Sequence, residues 1–523
     1  MHLMKHNIVV YATVFVGLLA TSGCQKFLEE KPLTAVDTKD YYKTLKDVNA
    51  SMAGIYGSFQ QEMTGEGGTK NFTGKYHYWG EGRADNFDFN GQYTSALVRE
   101  LSINTLTSGN SASDWTGFYR TIGLTNLAIK YIPNAAKLDN AVTPTLRDNF
   151  LAQCYAMRAM CYFYIVRLWG DAPIWIEPYE DYMVESKRPR ESKEKIMEEI
   201  IIPDLKNAYN LIQKNQTSNV WNINEGAIAA ILADVYMWKA GMNSDNASYT
   251  EAINWFKNVF KAKAPTGKVY TGTTIADLEV AADWRPKLFL DPSKSKESIW
   301  SINWDAANNG CACIPISIGS SNNQVRVDSV LHADWKKDKT DMRVTLSIDT
   351  LAGLGHYDKV LKYYNVPASG FPSGTNAPKA TDYPVYLVMY RLGDVYLSYA
   401  EALNRTGDRP NALKYLNFIR QRAGKVALLD ADPLIAGVVG LEDEIIRERR
   451  LELFGEGKRW FDLVRTRSLN KVLDPVINRR ISKIQGAPYT EGFGTNVDEK
   501  ALWPIHRNNL EDNKKLEQNS FYR

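Results

Sequence analysis

Cysteine and histidine are scarce in this chain, and their scarcity removes whole classes of mechanism. Five cysteines are spread over 523 residues. Cys154 and Cys161, seven apart in a helical pattern, would stand about 10.5 Å apart along a helix axis, too far for a disulfide. Cys311 and Cys313 form a C-x-C with no second thiol or histidine pair nearby. Two small residues in a strand or loop is the favoured reading there, over a strained disulfide or half a metal site. So few pairable cysteines leave stability to the core. Of the histidines, His2 and His6 fall in the N-terminal segment, and His77, His332, His356 and His506 form no H-E-x-x-H or H-x-x-x-H spacing. A zinc hydrolase site therefore has no support, and no metal or cofactor is expected. G-x-S-x-G is missing as well. The G-E-G-K at 455–458 is not a phosphate loop, because Glu452 holds the place of the first glycine and Arg459 that of the Ser or Thr. An excess of one charge is also lacking. The 63 basic and 60 acidic residues leave a net +3, which gives no reason to expect nucleic acid. Past the N-terminus no apolar run reaches the ~18 residues of a spanning helix. An enzyme is not expected.

What is present begins with "FVGLLATSGCQKFLEEKP", residues 15–32. A polar start carrying Lys5 leads into Ile8–Ala20, which holds no charge. That run is too short to span a membrane, which takes about 20 residues, but suits the apolar part of a secretory signal. Thr21, Ser22 and Gly23 follow, then Cys24. The arrangement resembles a bacterial lipobox, with Thr21 where leucine is usual, and implies that Cys24 is lipidated and becomes the first mature residue. A plain secretory signal ending at a cysteine is the alternative. Membrane attachment is expected through this anchor alone.

At 523 residues the chain exceeds what one core usually organises, so several lobes or an extended helical array are expected. Amphipathic helices dominate the pattern. "LRDNFLAQCYAMRAMCYFYIVRLWG" (146–170) carries apolar residues at three- and four-residue steps and stops at Gly170, with Pro173 just beyond. "NEGAIAAILADVYMWKAG" (224–241) and "YRLGDVYLSYAEALNRTGDRP" (390–410) share that period and contain a repeat. Asp234-Val235-Tyr236 corresponds to Asp394-Val395-Tyr396, and each Tyr is followed at one fixed offset by an alanine, Ala252 or Ala412, that opens a second amphipathic run. Paired helices at a constant offset indicate degenerate tetratricopeptide-like repeats stacked into a curved support. Residues 115–133 with 146–170 make a further pair. Residues 60–112 and 265–385 break the pattern with Gly, Ser, Asn and Pro, and the second contains the strand-like "ESIWSINW" (297–304). The expected fold is mainly α: a repeat array with irregular, partly β loops forming a binding face. Its expected divisions are a signal at 1–23, a tether at 24–40, a helical region with binding loops at 41–264, an irregular insertion at 265–385 and a C-terminal helical region at 386–523.

The most distinctive block is "LEDEIIRERRLELFGEGKRWFDLVRTR" (441–467). Its pattern predicts a helix burying Leu441, Ile445, Ile446, Leu453 and Phe454, with ion pairs Asp443–Arg447 and Arg449–Glu452 at helical spacing. An ion-paired packing helix is favoured over an anion clamp. "IIRERRLELFGEGKRWFDLVR" resembles the C-terminal hallmark of the SusD/RagB family of outer-membrane nutrient-binding lipoproteins. "CQKFLEEKP" (24–32), "MRAMCYFYIVRLWGDAPI" (157–174), "ALKYLNFIRQRAG" (412–424) and "LWPIHRNNLEDNKKLEQNSFYR" (502–523) are similar to its other landmarks, in order. His506 departs from a common proline, and Ser520-Phe521 from a frequent Pro-Gly, which bears on tail packing. The resemblance implies a surface lipoprotein sitting as a lid over a SusC-type TonB-dependent transporter in the cell outer membrane. Such a protein captures oligosaccharide, or peptide in some members, without cleaving it. A scaffold with no small-molecule ligand is a further alternative.

Sugars present C–H faces and hydroxyl edges, which call for aromatic planes flanked by amides, carboxylates and guanidinium groups. Tyr76, Tyr78, Trp79, Arg83, Asp85 and Asn86 supply all of these within eleven residues. Trp284 and Trp304, in the middle irregular region, are the second candidates. Core packing of Trp79 and a structural Arg83–Asp85 pair are the competing readings.

Overall fold

The computed structural model describes residues 41–64, 75–89, 95–181, 183–304, 325–348, 360–363 and 385–523. Cys24, Cys311, Cys313 and the expected signal and tether lie outside these residues. The fold is mainly helical. Its principal helices are α1 (Leu45–Thr64), α2 (Thr116–Leu138), α3 (Pro144–Trp169), α4 (Ile202–Leu211), α5 (Glu225–Asn243), α6 (Asn246–Val259), α7 (Leu392–Arg405), α8 (Arg409–Arg422), α9 (Gly437–Glu452), α10 (Arg459–Arg465) and α11 (Leu469–Gln485).

Three tight helical hairpins, α2–α3, α5–α6 and α7–α8, form the array, because links of a few residues leave consecutive helices side by side. Helix α6 packs on α7, and α4 lies against both α3 and α5, so the hairpins join into one continuous support. Ala252 and Ala412 are fully buried, as the repeat requires of residues at close helix contacts. Local signals set the helix ends. Thr143 Oγ1 accepts from Leu146 N at 3.3 Å ahead of α3, and Gly170 stops it at φ +76°, a left-handed turn that favours glycine. Asn224 Oδ1 accepts from Ala227 N at 3.0 Å to start α5. Cys154 and Cys161 are buried free thiols of α3. Burial pushes the Cys154 thiol up to about 12, so it packs as an inert apolar group.

Among the described residues four short strands make two antiparallel pairs: β1 (Phe87–Phe89) with β3 (Val325–Val327), and β2 (Ser298–Trp304) with β4 (Val385–Arg391). The strand-like run at 297–304 is β2, and β4 leads directly into α7. The pairing therefore fastens the middle of the chain to the third hairpin.

The 441–467 block is two helices rather than one. Gly455 and Gly457, at φ +75° and +68°, turn the chain between α9 and α10. This corner presses backbone against backbone, since a Cβ on Gly80 would fall 2.1 Å from the Gly457 carbonyl oxygen. The expected apolar stripe of α9 and its following turn is buried. The expected ion pairs within the helix are not made. Asp443 meets Lys471 at 2.7 Å, and Arg447 meets Glu444 at 2.7 Å. Arg449 reaches Asp394 at 2.8 Å and Asp462 at 3.0 Å. Glu452 accepts from Arg391 at 2.6 Å, from Arg343 at 3.2 Å and from Arg422. Most of these side chains are buried, Arg449 and Glu452 are satisfied by partners from other elements, and removing one partner would strand the others. The tail also packs: Trp503 N donates to Leu168 O at 2.6 Å, and Asn519 Nδ2 donates to Trp503 O at 2.7 Å. His506 Nδ1 accepts from Asn508 N at 3.3 Å, starting a short helix where a proline was the common alternative.

Candidate functional site

The N-terminal aromatic cluster lies inside the protein. Tyr76, Tyr78, Trp79, Arg83, Asp85 and Asn86 are all buried, with Trp79, Arg83 and Asn86 at 0% exposure. Such side chains offer no face to a sugar. The Trp79 ring stacks on Phe118 at 5.1 Å and meets Trp169 at 5.9 Å, while its indole N–H donates to Ala112 O at 2.9 Å. Tyr76 donates its hydroxyl to Val388 O at 2.9 Å. Arg83 donates to Ala501 O at 2.8 Å and to Asn104 Oδ1 at 2.8 Å, with its guanidinium 4.1 Å over the Trp460 ring. Asp85 meets Arg459 at 2.8 Å and Arg450 at 3.0 Å. Burial alone would raise its carboxyl, but these two guanidinium groups outweigh it and hold Asp85 below the usual carboxylate range. Asn86 donates to Glu81 at 2.8 Å and accepts from Arg450 at 2.9 Å. Arg83 and Asp85 thus pair with the C-terminal region and not with each other. The cluster fastens the N-terminal segment to the α9–α10 corner. Rings and hydrogen-bonding groups serve interior packing as well as sugar binding, which is why the residue types alone misled.

Trp284 is likewise fully buried, edge-on to Phe289 at 5.2 Å, with the Lys362 ammonium 5.0 Å over its ring. Trp304 ends β2 with its backbone opposite Val385; its side chain lies outside the described residues.

A different set of residues lines an open cleft of about 310 Å³ between α1, the end of β2 and the 217–224 segment. Tyr56, Gly57 and Gln60 come from α1, Trp221 from the connecting segment, and Trp300 to Asn303 from β2. Trp221 pairs with Tyr386 of β4, ring centroids 5.1 Å apart and planes 41° apart, and both rings are half-buried. Trp300 stacks on Phe59 at 5.9 Å beneath them and is itself buried. Gln60 donates its side-chain amide to Asn303 O. Ser301 Oγ is buried without a hydrogen-bond partner among the described residues. No carboxylate, cation, histidine or thiol is among the described lining residues. Such a cleft can hold a neutral, hydroxyl-rich ligand against aromatic rings, and it contains no group suited to proton transfer near neutrality. The sequence carried one signal for it. In "QTSNVWNIN" (216–224) a tryptophan stands between two amphipathic helices with amides and hydroxyls around it, outside any apolar period.

A second groove, of about 210 Å³, runs past Trp238, Met242, Arg467 and Asp498. Its charges are matched from within, Lys239 to Glu198 at 2.7 Å and Arg467 to Asp498.

A helical-repeat support carrying a neutral aromatic cleft defines a binding protein. Comparison with known proteins is consistent with that class. Residues 26–237 match a family described as starch-binding and associating with the outer membrane, and residues 362–522 match the SusD family. The chain belongs to the SusD/RagB family. SusD-like protein P38 of Formosa agariphila is 25% identical over 99% of both chains. A SusD-like protein of Bacteroides ovatus is 23% identical over 88% of this chain and 82% of its own length. Among solved structures, a SusD superfamily protein of Bacteroides vulgatus superposes with a TM-score of 0.71 at 18% identity, covering 92% of this chain and 99% of its own. A second Bacteroides vulgatus protein, provisionally described as sugar-binding, superposes with a TM-score of 0.68 at 23% identity, over the same shares. These likenesses establish the fold. No helix among the described residues is long and apolar enough to cross a membrane.

Proposed function

We propose that this chain is a surface lipoprotein of the outer membrane, anchored through Cys24, that binds oligosaccharide and passes it uncleaved to a SusC-type TonB-dependent transporter. The observation that carries the reading is the half-buried Trp221 ring, held against Tyr386 of β4, on the wall of a cleft that also presents the amides of Gln60 and Asn303. A stacked C–H face gains from the Trp221 ring, while Gln60 and Asn303 can exchange hydrogen bonds with sugar hydroxyls. Trp304, next to Asn303 in β2, remains a candidate at the same edge. The family's description as starch-binding and its outer-membrane association support both ligand class and location. A peptide ligand would want unpaired charge for its termini and side chains, and the charged groove offers charges already matched. A scaffold without ligand gives no reason for an open aromatic cleft.

The test is a binding screen of residues 25–523 against oligosaccharides and peptides, read by tryptophan fluorescence and confirmed by calorimetry. Saturable binding of a glycan, with no shortening of it on prolonged incubation, is the expected result. Binding of peptides alone, or cleavage of the bound glycan, would overturn the proposal.

A further inference from the structure

Trp221 stands on a ridge with a cleft on each side. Across it, α3, the segment after α4 and the start of α5 enclose about 220 Å³. Phe150, Gln153, Gln213, Thr217, Asn219 and Asn222 are among its walls. Tyr56 joins the walls of the two clefts. Its ring lines the first, and its hydroxyl donates to Gln153 Oε1 at 2.8 Å and accepts from Ile223 N at 2.9 Å in the wall of the second. The neighbouring residues Trp221 and Asn222 line opposite clefts.

The second cleft shares an amide-rich wall with the first and adds two charged residues. Phe150 is half-buried and gives an apolar surface, and the polar walls are mostly amides. Amides donate and accept at once, as hydroxyls do, so they suit a ligand whose every edge is a hydroxyl. Glu225 and Lys263 are its charged members. Glu225 accepts from Asn215 N at 2.8 Å, and the Lys263 ammonium makes no ion pair among the described residues. The Asn222 side chain and the Thr217 hydroxyl have no protein partner among the described residues. They are free to serve a ligand, and replacing them breaks no internal bond.

We infer that this amide-lined cleft is a second sugar subsite and that one oligosaccharide crosses the Trp221 ridge to occupy both clefts. The inference rests on the glycan-binding reading above and adds to it a ligand several units long. The peptide backbone of the ridge keeps its own hydrogen bonds, Trp221 N to Asn219 Oδ1 at 3.1 Å among them, so the ridge is a preformed support that needs no rearrangement.

The test uses the full chain in detergent and affinity electrophoresis on neutral and acidic polysaccharides, including starch, xylan, galactan, mannan and alginate. Calorimetry then follows with trimer and heptamer fragments of each polysaccharide that retards the wild type. For the heptamer, Asn222→Ala with Thr217→Ala is expected to lose about tenfold in affinity, the loss of one to two net hydrogen bonds. The trimer should lose less than twofold, and the melting temperature should not move. Asn222→Gln, which keeps the amide, should recover part of the heptamer affinity. Heptamer binding equal to wild type in the double variant, with Trp221→Ala still defective, would overturn the second subsite and leave the glycan reading standing. Absence of retardation by every polysaccharide would refute the glycan reading, and this inference with it.

Discussion

Trp79 and Trp221 should respond to truncation in opposite ways, and the contrast separates core from binding surface. Trp79 is fully buried among Phe118, Tyr164 and Trp169, and its N–H is satisfied by Ala112 O. A buried tryptophan removes roughly 200 Å² from water. At about 25 cal/mol per Å² that is about 5 kcal/mol, at the top of the ~3–5 kcal/mol range for truncating a large aromatic in a core. Unfolding entropy near 2.1 cal/mol/K per residue makes a chain of this length lose roughly one degree of Tm per kcal/mol. Trp79→Ala should therefore melt about 3–5 °C lower. The protein that remains folded should bind glycan normally. Trp221 is half-buried at the mouth of the cleft and contacts one ring, that of Tyr386. Trp221→Ala should leave Tm within about 1 °C and lose roughly 1–3 kcal/mol of ligand affinity, the scale of stacking on one aromatic platform. Scanning fluorimetry and calorimetry on the same preparations give both numbers. An unchanged Tm with lost binding in Trp79→Ala would refute the assignment of the N-terminal cluster to the core.

Further outcomes follow, from the structure for Glu452, Gly80 and Gly54 and from the amino-acid sequence for Cys24. Glu452→Gln removes the carboxylate shared by Arg343, Arg391 and Arg422, and should cost about 3–5 kcal/mol, read as a lower Tm. Arginine neighbours hold Glu452, Glu448 and Asp85 below the usual carboxylate range against the opposing effect of burial. A depressed folded pKa gives stability that is complete above the unfolded value and is lost as pH falls through the folded one. Wild-type Tm should thus drop below about pH 4, and Glu452→Gln should drop less steeply; parallel profiles would refute the sign. Gly80→Ala drives a Cβ into the Gly457 carbonyl and should prevent a folded product, whereas Gly54→Ala, in open space on α1, should raise Tm by about 1 °C. Cys24→Ala should move the protein from the membrane fraction to the soluble one; retention at the membrane would refute the lipid anchor.

Much of the architecture was legible in the residues because helical periodicity and end signals are local. The hairpin pattern, the α3 stop at Gly170 and the buried stripe of α9 follow from spacings within one element. The break between α9 and α10 was hidden. Gly455 and Gly457 turn the chain at positive φ, and Gly80 packs directly on the Gly457 backbone, a contact between residues far apart in sequence. The ion pairs of α9 were misassigned for the same reason. Helical spacing offers Arg449 to Glu452, but burial on several sides gives each of them partners from other elements.

The site shows the division most plainly. The amino-acid sequence determined the mainly helical repeat, the order of its elements and the family, because each depends on patterns repeated along the chain. Only the tertiary structure decided which aromatic residues face water. Tyr76, Tyr78 and Trp79 have the composition of a sugar platform and are packed inside, while Trp221, held against Tyr386 from far along the chain, lines an open cleft. Burial is a property of how elements stack, and residue type does not encode which side of a stack a ring occupies.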